Sequence, residues 1–248
     1  MKQLPTRQRV RKAVIIAAFL SFPITMNFLS PYVIIDGAMQ GVASGSLVMF
    51  GLMFASSLFL GRAWCGWVCP GGAMQEIVEP VNRRAVYPAK IDWIKWLIWI
   101  PWVSIIVWMF VRAGGVAGVN MLHLTESGIS VDEPMKYITY YGVVLLFVLL
   151  AALAGRRTGC HTICWMAPFM IIGRWLRNRV GWPALRLRAD AAACSDCMTC
   201  TRGCPMSLDV NAMVKREKME HAECILCGTC VDGCAQGAIR YGFERGKG

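Results

Sequence analysis

The segment Cys194-Ser195-Asp196-Cys197-Met198-Thr199-Cys200-Thr201-Arg202-Gly203-Cys204-Pro205 is echoed by Cys224-Ile225-Leu226-Cys227-Gly228-Thr229-Cys230-Val231-Asp232-Gly233-Cys234. Each run reads Cys-x2-Cys-x2-Cys-x3-Cys, the thiolate spacing that grips cubane iron-sulfur clusters in pairs, with the fourth cysteine of each run reaching across to the other cluster. The spacing predicts two [4Fe-4S] clusters, one on Cys194, Cys197, Cys200 and Cys234, the other on Cys224, Cys227, Cys230 and Cys204. Tetrahedral zinc needs no third cysteine in each tight run, and disulfide frameworks belong to small secreted domains. Ala235 stands where proline follows the fourth cysteine of the first run. That position ligates nothing, so the expectation is unchanged.

Upstream of these cysteines the composition changes character. Hydrophobic residues make up 56% of the 248-residue chain and charged residues 17%, with ten tryptophans, which is membrane-class usage. Four apolar runs approach the ~20 residues that a bilayer-crossing helix needs: about 13–35, 42–60, 93–111 and 137–154. The expected fold is therefore an integral membrane all-α domain of four transmembrane helices in two repeated hairpins, followed by a C-terminal α+β ferredoxin domain. Boundaries are expected at 1–170 for the membrane domain, 171–189 for an amphipathic linker lying on the membrane surface, and 190–248 for the ferredoxin. The first run follows Lys2, Arg7, Arg9, Arg11 and Lys12, but it exceeds a signal-peptide core and shows no small-x-small cleavage site. It reads as a retained span, kinked near Pro23 and Asn27.

Basic residues set the orientation, because positively charged flanks stay in the cytoplasm. Arg62, Arg83, Arg84 and Lys90 lie between the second and third runs, and Arg156, Arg157, Arg174, Arg177, Arg179, Arg186 and Arg188 follow the fourth. Residues 36–41 hold no basic group, and between Arg112 and Lys136 lie Glu126, Asp132 and Glu133. The expected location is the inner (cytoplasmic) membrane, multi-pass, with both termini and the ferredoxin domain cytoplasmic. Topology and anionic headgroups account for the net charge of +11, so membrane lipid rather than nucleic acid is the expected partner. Trp93, Trp96, Trp99 and Trp102 read as an interfacial, lipid-facing belt. The three histidines, His123, His161 and His221, offer no pair at matching depth for a transmembrane haem.

Four cysteines remain. Gly61-Arg62-Ala63-Trp64-Cys65-Gly66-Trp67-Val68-Cys69-Pro70 ends the second run, and Gly155-Arg156-Arg157-Thr158-Gly159-Cys160-His161-Thr162-Ile163-Cys164 ends the fourth. Gly-Arg followed by Cys-x3-Cys at the end of each hairpin is an internal repeat of parallel type, with a pseudo-two-fold axis along the membrane normal. It would bring Cys65, Cys69, Cys160 and Cys164 to one depth at the cytoplasmic boundary. Three readings stay open: a shared third iron-sulfur or other metal centre, redox-active dithiols or transient metal handling, and plain packing of small buried side chains.

Apolar helices, a Cys-x3-Cys-Pro motif at Cys65–Pro70 and a C-terminal double-cluster ferredoxin together resemble the membrane polyferredoxins. These include the NapH-type quinol dehydrogenase subunits, the C-terminal half of NosR and, more distantly, the CcoG/RdxA proteins. The Cys160–Cys164 motif matches only in spacing, since Trp165 stands where the proline would be. The resemblance implies electron exchange between the quinone pool and a separate redox subunit, such as a ferredoxin, cytochrome or flavoprotein, in anaerobic respiration. The chain would then be the membrane electron-transfer subunit of a quinol dehydrogenase or oxidoreductase, with a quinone bound near Trp64, Trp67 and His161. For a CcoG-like relative it implies instead a metal-reducing assembly factor for a metalloenzyme.

Overall fold

The computed structural model describes residues 4–125 and 127–246; Lys2 and Glu126, both counted in the charge asymmetry, lie outside the described residues. The chain enters through α1 (Thr6–Leu20), then α2 (Phe22–Thr25), a 3-10 turn (Met26–Leu29) and α3 (Pro31–Met39). The run 13–35 is therefore not one helix. The axis turns by 57° between α1 and the segment Phe22–Leu29, where Pro23 removes a backbone donor. Ser30 then goes extended, and its hydroxyl accepts from the Val33 amide to start α3 on Pro31.

Strand β1 (Val42–Ser44) pairs in parallel with β2 (Gly118–Asn120), so the first residues of the expected 42–60 run are strand rather than helix. Ser44 caps α4 (Gly45–Leu60) by accepting from the Leu47 amide. There follow α5 (Ala63–Trp67), α6 (Pro70–Val78), α7 (Pro88–Ile91), α8 (Ile94–Arg112) and α9 (Pro134–Ala154). Among the described residues α8 and α9 are each long and apolar enough to cross a membrane, and the bent pair at the N-terminus makes a third if counted as one span. Leu97, Ile100 and Val107 on α8 and Leu145, Leu149 and Leu153 on α9 point outward, an apolar exterior that suits lipid.

The internal repeat is real in the backbone. α4 ends at Gly61 with φ 56° and α9 at Gly155 with φ 119°, left-handed turns that favour glycine. Each turn leads to a buried arginine, Arg62 or Arg157, and to a five-residue helix, α5 or α10 (Thr158–Thr162). A third helix then begins with proline in its first turn: α6 at Pro70, and α11 (Ala167–Val180) with Pro168. The proline missing after Cys164 is thus supplied four residues on. α6 packs against α9 and α1, whereas α11 packs against α4, so each returning helix fills the groove of the other half.

The segment expected as an amphipathic linker packs one face inward and leaves Trp175, Leu176 and Val180 exposed on the other. Ala167, Met170, Ile171, Gly173 and Arg177 of α11 are buried, and β3 (Ala184–Ala189) pairs antiparallel with β4 (Ile239–Glu244) to close the ferredoxin unit. Between those strands lie α12 (Thr199–Arg202), α13 (Val210–Lys215) and α14 (Thr229–Asp232). The tryptophan series also turns inward, because α8 packs on α3 and α11. Trp99 and Trp102 meet Phe169 edge-on at 5.2 and 6.1 Å, the Trp102 indole donates to the Pro31 carbonyl at 3.1 Å, and Trp93 alone of the four stays exposed.

The α4/α11 contact is close enough to test. A Cβ at Gly173 would lie 1.8 Å from Ser57 Oγ and 2.9 Å from the Phe54 carbonyl oxygen, whereas one at Gly142 on α9 would meet nothing within 4 Å. Gly173→Val should destabilise the protein by about 1–3 kcal/mol, and Gly142→Ala should leave it unchanged or slightly more stable. Thermal unfolding in detergent compares the two.

Candidate metal centres and their junction

The two ferredoxin loops share one backbone device. Asp196 and Met198 in the first, and Leu226 and Gly228 in the second, take positive φ at equivalent positions. These turns wrap each loop so that its first three cysteines converge. Cys194, Cys197, Cys200 and Cys234 line one cavity, and Cys204, Cys224, Cys227 and Cys230 line another. The fourth cysteine of each run thus lines a cavity with the other run's three. Cys197 is exposed while Cys204, Cys227 and Cys230 are buried, so the first set faces solvent and the second faces inward. Burial pushes the Cys204 thiol up to about 12 and the Cys224 thiol to about 11; such thiols stay protonated until a metal displaces the proton. Two apolar pockets, each with four convergent thiols, fit two iron-sulfur cubanes.

Cys65, Cys69, Cys160 and Cys164 are brought together in the upstream half, each only 4–5% exposed. Cys69 is in electrostatic contact with the other three. The Gln75 amide donates to Cys160 Sγ at 3.1 Å while its carbonyl accepts from Gly159 N at 2.8 Å, and Cys65 Sγ lies 4.0 Å from Met170 Sδ. Their depth differs from the expected helix-end boundary. A Cβ at Gly159 would sit 2.8 Å from the Phe147 ring, and Phe147 precedes the end of α9 by seven residues, which is about 10 Å at ~1.5 Å rise per residue. α5 and α10 fold back into the bundle and carry the thiols inward.

Between this centre and the ferredoxin lies a buried ionic junction. Arg62 is fully buried; its Nη1 donates to Glu223 Oε2 at 2.7 Å and to the Ala222 carbonyl at 3.0 Å. Lys95 Nζ reaches Glu223 Oε1 at 2.8 Å. His161 Nδ1 lies 2.6 Å from Asp92 and 3.7 Å from Glu223. A second cluster joins Arg11 and Arg157 to Glu76 at 2.9 and 2.5 Å, and Arg157 also donates to the Cys65 carbonyl at 2.9 Å. Burial works against ionisation of Glu223, but Arg62 and Lys95 outweigh it and hold the carboxyl at about 2. Its stabilising charge is therefore present above the ordinary carboxylate range and lost only as pH falls toward 2. Asp92, His161 and Glu223 come close enough to hold a cation; the Lys95 ammonium, 2.8 Å from Glu223 and 3.7 Å from Asp92, is that cation.

The junction seats the second ferredoxin loop on the Cys65 turn. A Cβ at Gly66 would lie 2.4 Å from the Ile225 carbonyl oxygen, the Trp67 indole donates to the Leu226 carbonyl at 3.1 Å, and Gln8 donates to the Cys227 carbonyl at 3.0 Å. Arg157 is in electrostatic contact with Cys160 on one side and Cys227 on the other, as Arg62 is with Cys65 and Cys164. Among the described residues Arg62 Nε and Nη2 and Arg157 Nε are buried donors with no protein acceptor, and His161 Nε2 is buried without a hydrogen-bond partner. Donors left over beside four thiols fit an anionic thiolate-bound centre. Trp64 and Trp67, expected to share a site with His161, line a separate open cavity of about 450 Å³ with Leu226 and Tyr241. His161 is not on it. Lys95 and Glu223 escaped the sequence reading: one lies inside an apolar run and the other beside Cys224, and neither has local periodicity to flag it.

Residues 43–87 match the family model described as a 4Fe-4S binding domain, and residues 193–239 match that of a 4Fe-4S dicluster domain. The first match takes in Cys65 and Cys69. The chain is similar to YccM of Escherichia coli (strain K12), 24% identical over 82% of this chain and 57% of that protein. It is 27% identical to Protein RdxA of Cereibacter sphaeroides over 82% of this chain and 46% of that one. To the methylamine utilization ferredoxin-type protein MauN of Methylobacillus flagellatus it is 26% identical over 91% and 77%. The chain thus spans about half the length of YccM and RdxA. No solved structure matches.

Crossed ligation and the junction each have a direct test. Cys204→Ala should remove the iron held with Cys224, Cys227 and Cys230, lowering bound iron by about four atoms per chain while the signal of the Cys194 set persists; iron analysis with EPR reads both. Glu223→Gln leaves Arg62 buried without a carboxylate partner and Lys95 with only Asp92, at 3.7 Å, and should cost about 3–5 kcal/mol, measured as thermal stability of the whole chain in detergent.

Proposed function

We propose that this chain, a homologue of the 4Fe-4S ferredoxin-type membrane proteins NapH, NosR, MauN, FixG and RdxA, exchanges electrons between the quinone pool and a separate redox protein in an anaerobic respiratory chain. In this reading it is the membrane subunit of a quinol dehydrogenase. Four spans carry it: the bent segment from α1 to Leu29, then α4, α8 and α9. Both termini and the ferredoxin unit lie on the cytoplasmic side, as the banked arginines favour.

One observation supports this most directly: three cysteine sets follow one another from the surface inward. Cys197 opens the first to solvent, Cys230 of the second interacts electrostatically with Cys200 of the first, and Arg157 interacts electrostatically with both Cys227 and Cys160. A cubane cluster, when bound, accepts and releases a single electron with little structural change. Cys65, Cys69, Cys160 and Cys164 would hold a third centre. The surrounding side chains keep it dry and supply positive charge: Arg62 and Arg157 present unused N–H groups to the thiols, and Phe147 and Trp165 exclude water. His161, held by Asp92, offers a proton acceptor beside the same centre. A ferredoxin, cytochrome or flavoprotein would meet the exposed Cys197 loop.

A second reading has one observation in its favour. Met170 Sδ stands 4.0 Å from Cys65 Sγ, and thioether with thiolate is the soft ligand set that selects copper(I). The chain would then be a metal-reducing assembly factor of the CcoG kind.

Single Cys→Ser variants at 65, 69, 160 and 164 separate the alternatives. A shared centre predicts that each variant loses the same iron-dependent EPR signal and the same quinol-driven reduction of the ferredoxin clusters, whose own signals survive. Copper bound in place of iron at these thiols, and lost in Met170→Leu, favours the assembly factor. Variants at 65 and 69 that differ from those at 160 and 164 indicate two separate dithiols.

A further inference from the structure

The break in the N-terminal helix leaves a cavity of about 240 Å³ in the upstream half, walled almost wholly by apolar groups. Phe22 and Met26 come from the broken segment, Pro70 and Gly71 from the start of α6, Phe147 from α9, and Trp165 follows Cys164. We propose that this cavity binds the ring of a lipid-soluble quinone, and that it rather than the Trp64–Trp67 cavity is where the chain meets the quinone pool. The inference rests on the quinone exchange proposed above and gives it a location.

Four features point to that occupant. The inner wall adjoins the thiol cluster: a Cβ at Gly71 would lie 3.7 Å from Cys69 Sγ and 3.6 Å from the Phe147 ring. The walls carry three aromatic side chains, with Phe147 and Trp165 edge-to-face at 6.3 Å, a setting for a flat ring. The mouth lies between Tyr32, which is 62% exposed, and Thr139, also exposed. Thr139 sits inside the apolar helix α9, so a molecule dissolved in the bilayer can enter sideways without crossing water. Finally, Ser30, Tyr32 and Thr139 bring hydroxyl groups to an otherwise apolar lining, and a hydroxyl there can donate to a quinone carbonyl. An acyl chain would use the apolar walls but neither the hydroxyls nor the proximity to Cys69. The Trp64–Trp67 cavity is lined in part by Leu185 and Tyr241 of the ferredoxin unit, and its Trp67 indole is already engaged by Leu226.

The test uses the full-length protein in lipid nanodiscs and a photoreactive azido-benzoquinone bearing a decyl tail. Cross-links should map to the segments holding Phe22–Tyr32, Gly71–Met74 and Thr139–Phe147, and excess decyl-benzoquinone should displace them while the same excess of phosphatidylcholine should not. Gly71→Leu and Val143→Trp, which fill the cavity from opposite walls, should each weaken decyl-benzoquinone binding by about tenfold or more. Val143 is remote from the cysteine loops in sequence, so its effect does not depend on an intact metal centre, and the EPR signals are recorded alongside. Leu185→Trp, filling the other cavity, should leave binding unchanged. Cross-links at residues 63–68 and 226, displacement by phospholipid, or wild-type binding in both filled variants overturns the assignment. If quinol still reduces the centres in those filled variants, quinone exchange stands and only the location falls; if the wild-type chain neither binds quinone nor is reduced by quinol, both readings fall together.

Discussion

Arg62, Lys95 and Glu223 are buried together, and that constraint orders the rest of the molecule. Each cation alone would be strongly unfavourable in a dry interior, and so would the carboxylate. The three come from different parts of the chain: the turn after α4, the apolar α8, and the residue before Cys224. Glu223, together with Asp92 3.7 Å from Lys95, balances the two cations with the second ferredoxin loop pressed onto the Cys65 turn. The ferredoxin unit is thus held in register with the helices by charge balance as well as by contact. Close approach enforces the same fit, since the Ile225 carbonyl lies where any side chain at residue 66 would begin.

The reciprocal packing of the returning helices has a similar effect inside the helical half. α6 rests on α9 as well as on α1, and α11 on α4, so each repeat buries part of its apolar face against the other. Gly61 and Gly155 make this possible by turning the chain sharply at the end of each long helix. The reversed chain then carries Cys65, Cys69, Cys160 and Cys164 into the bundle rather than along its rim. The thiols meet because the two halves exchange their third helices.

The cysteine chemistry was legible in the sequence, because ligand spacing is a local property: Cys204 and Cys234 lie with the partner runs as their positions imply. The repeat was legible for the same reason, through Gly-Arg and Cys-x3-Cys recurring at Gly61 and Gly155. What the sequence obscured depends on tertiary packing. Apolar content alone does not say that Pro23 and Ser30 divide one hydrophobic run into several helices. Nor does a three-residue tryptophan spacing distinguish a lipid-facing belt from rings packed on Phe169. Arg62 and Arg157 were visible only as topology signals, since basic residues near a membrane normally serve that end; their burial against Glu223 and Glu76 is a long-range pairing with no local signature.

The inward position of the four thiols also has an electrical meaning. On the topology proposed above, with the end of α9 at the membrane boundary, a centre held by these thiols about 10 Å back along α9 would lie roughly a third of the way into a hydrocarbon layer ~30 Å thick. Moving one charge through the whole potential is worth about 2.3 kcal/mol per 100 mV, so an electron passing between the ferredoxin loops and that depth would exchange on the order of 0.8 kcal/mol with the field per 100 mV. In that proposed arrangement the folded-back turns after Gly61 and Gly155 would make reduction of a centre on these thiols voltage-sensitive, coupling its redox balance to how strongly the membrane is energised.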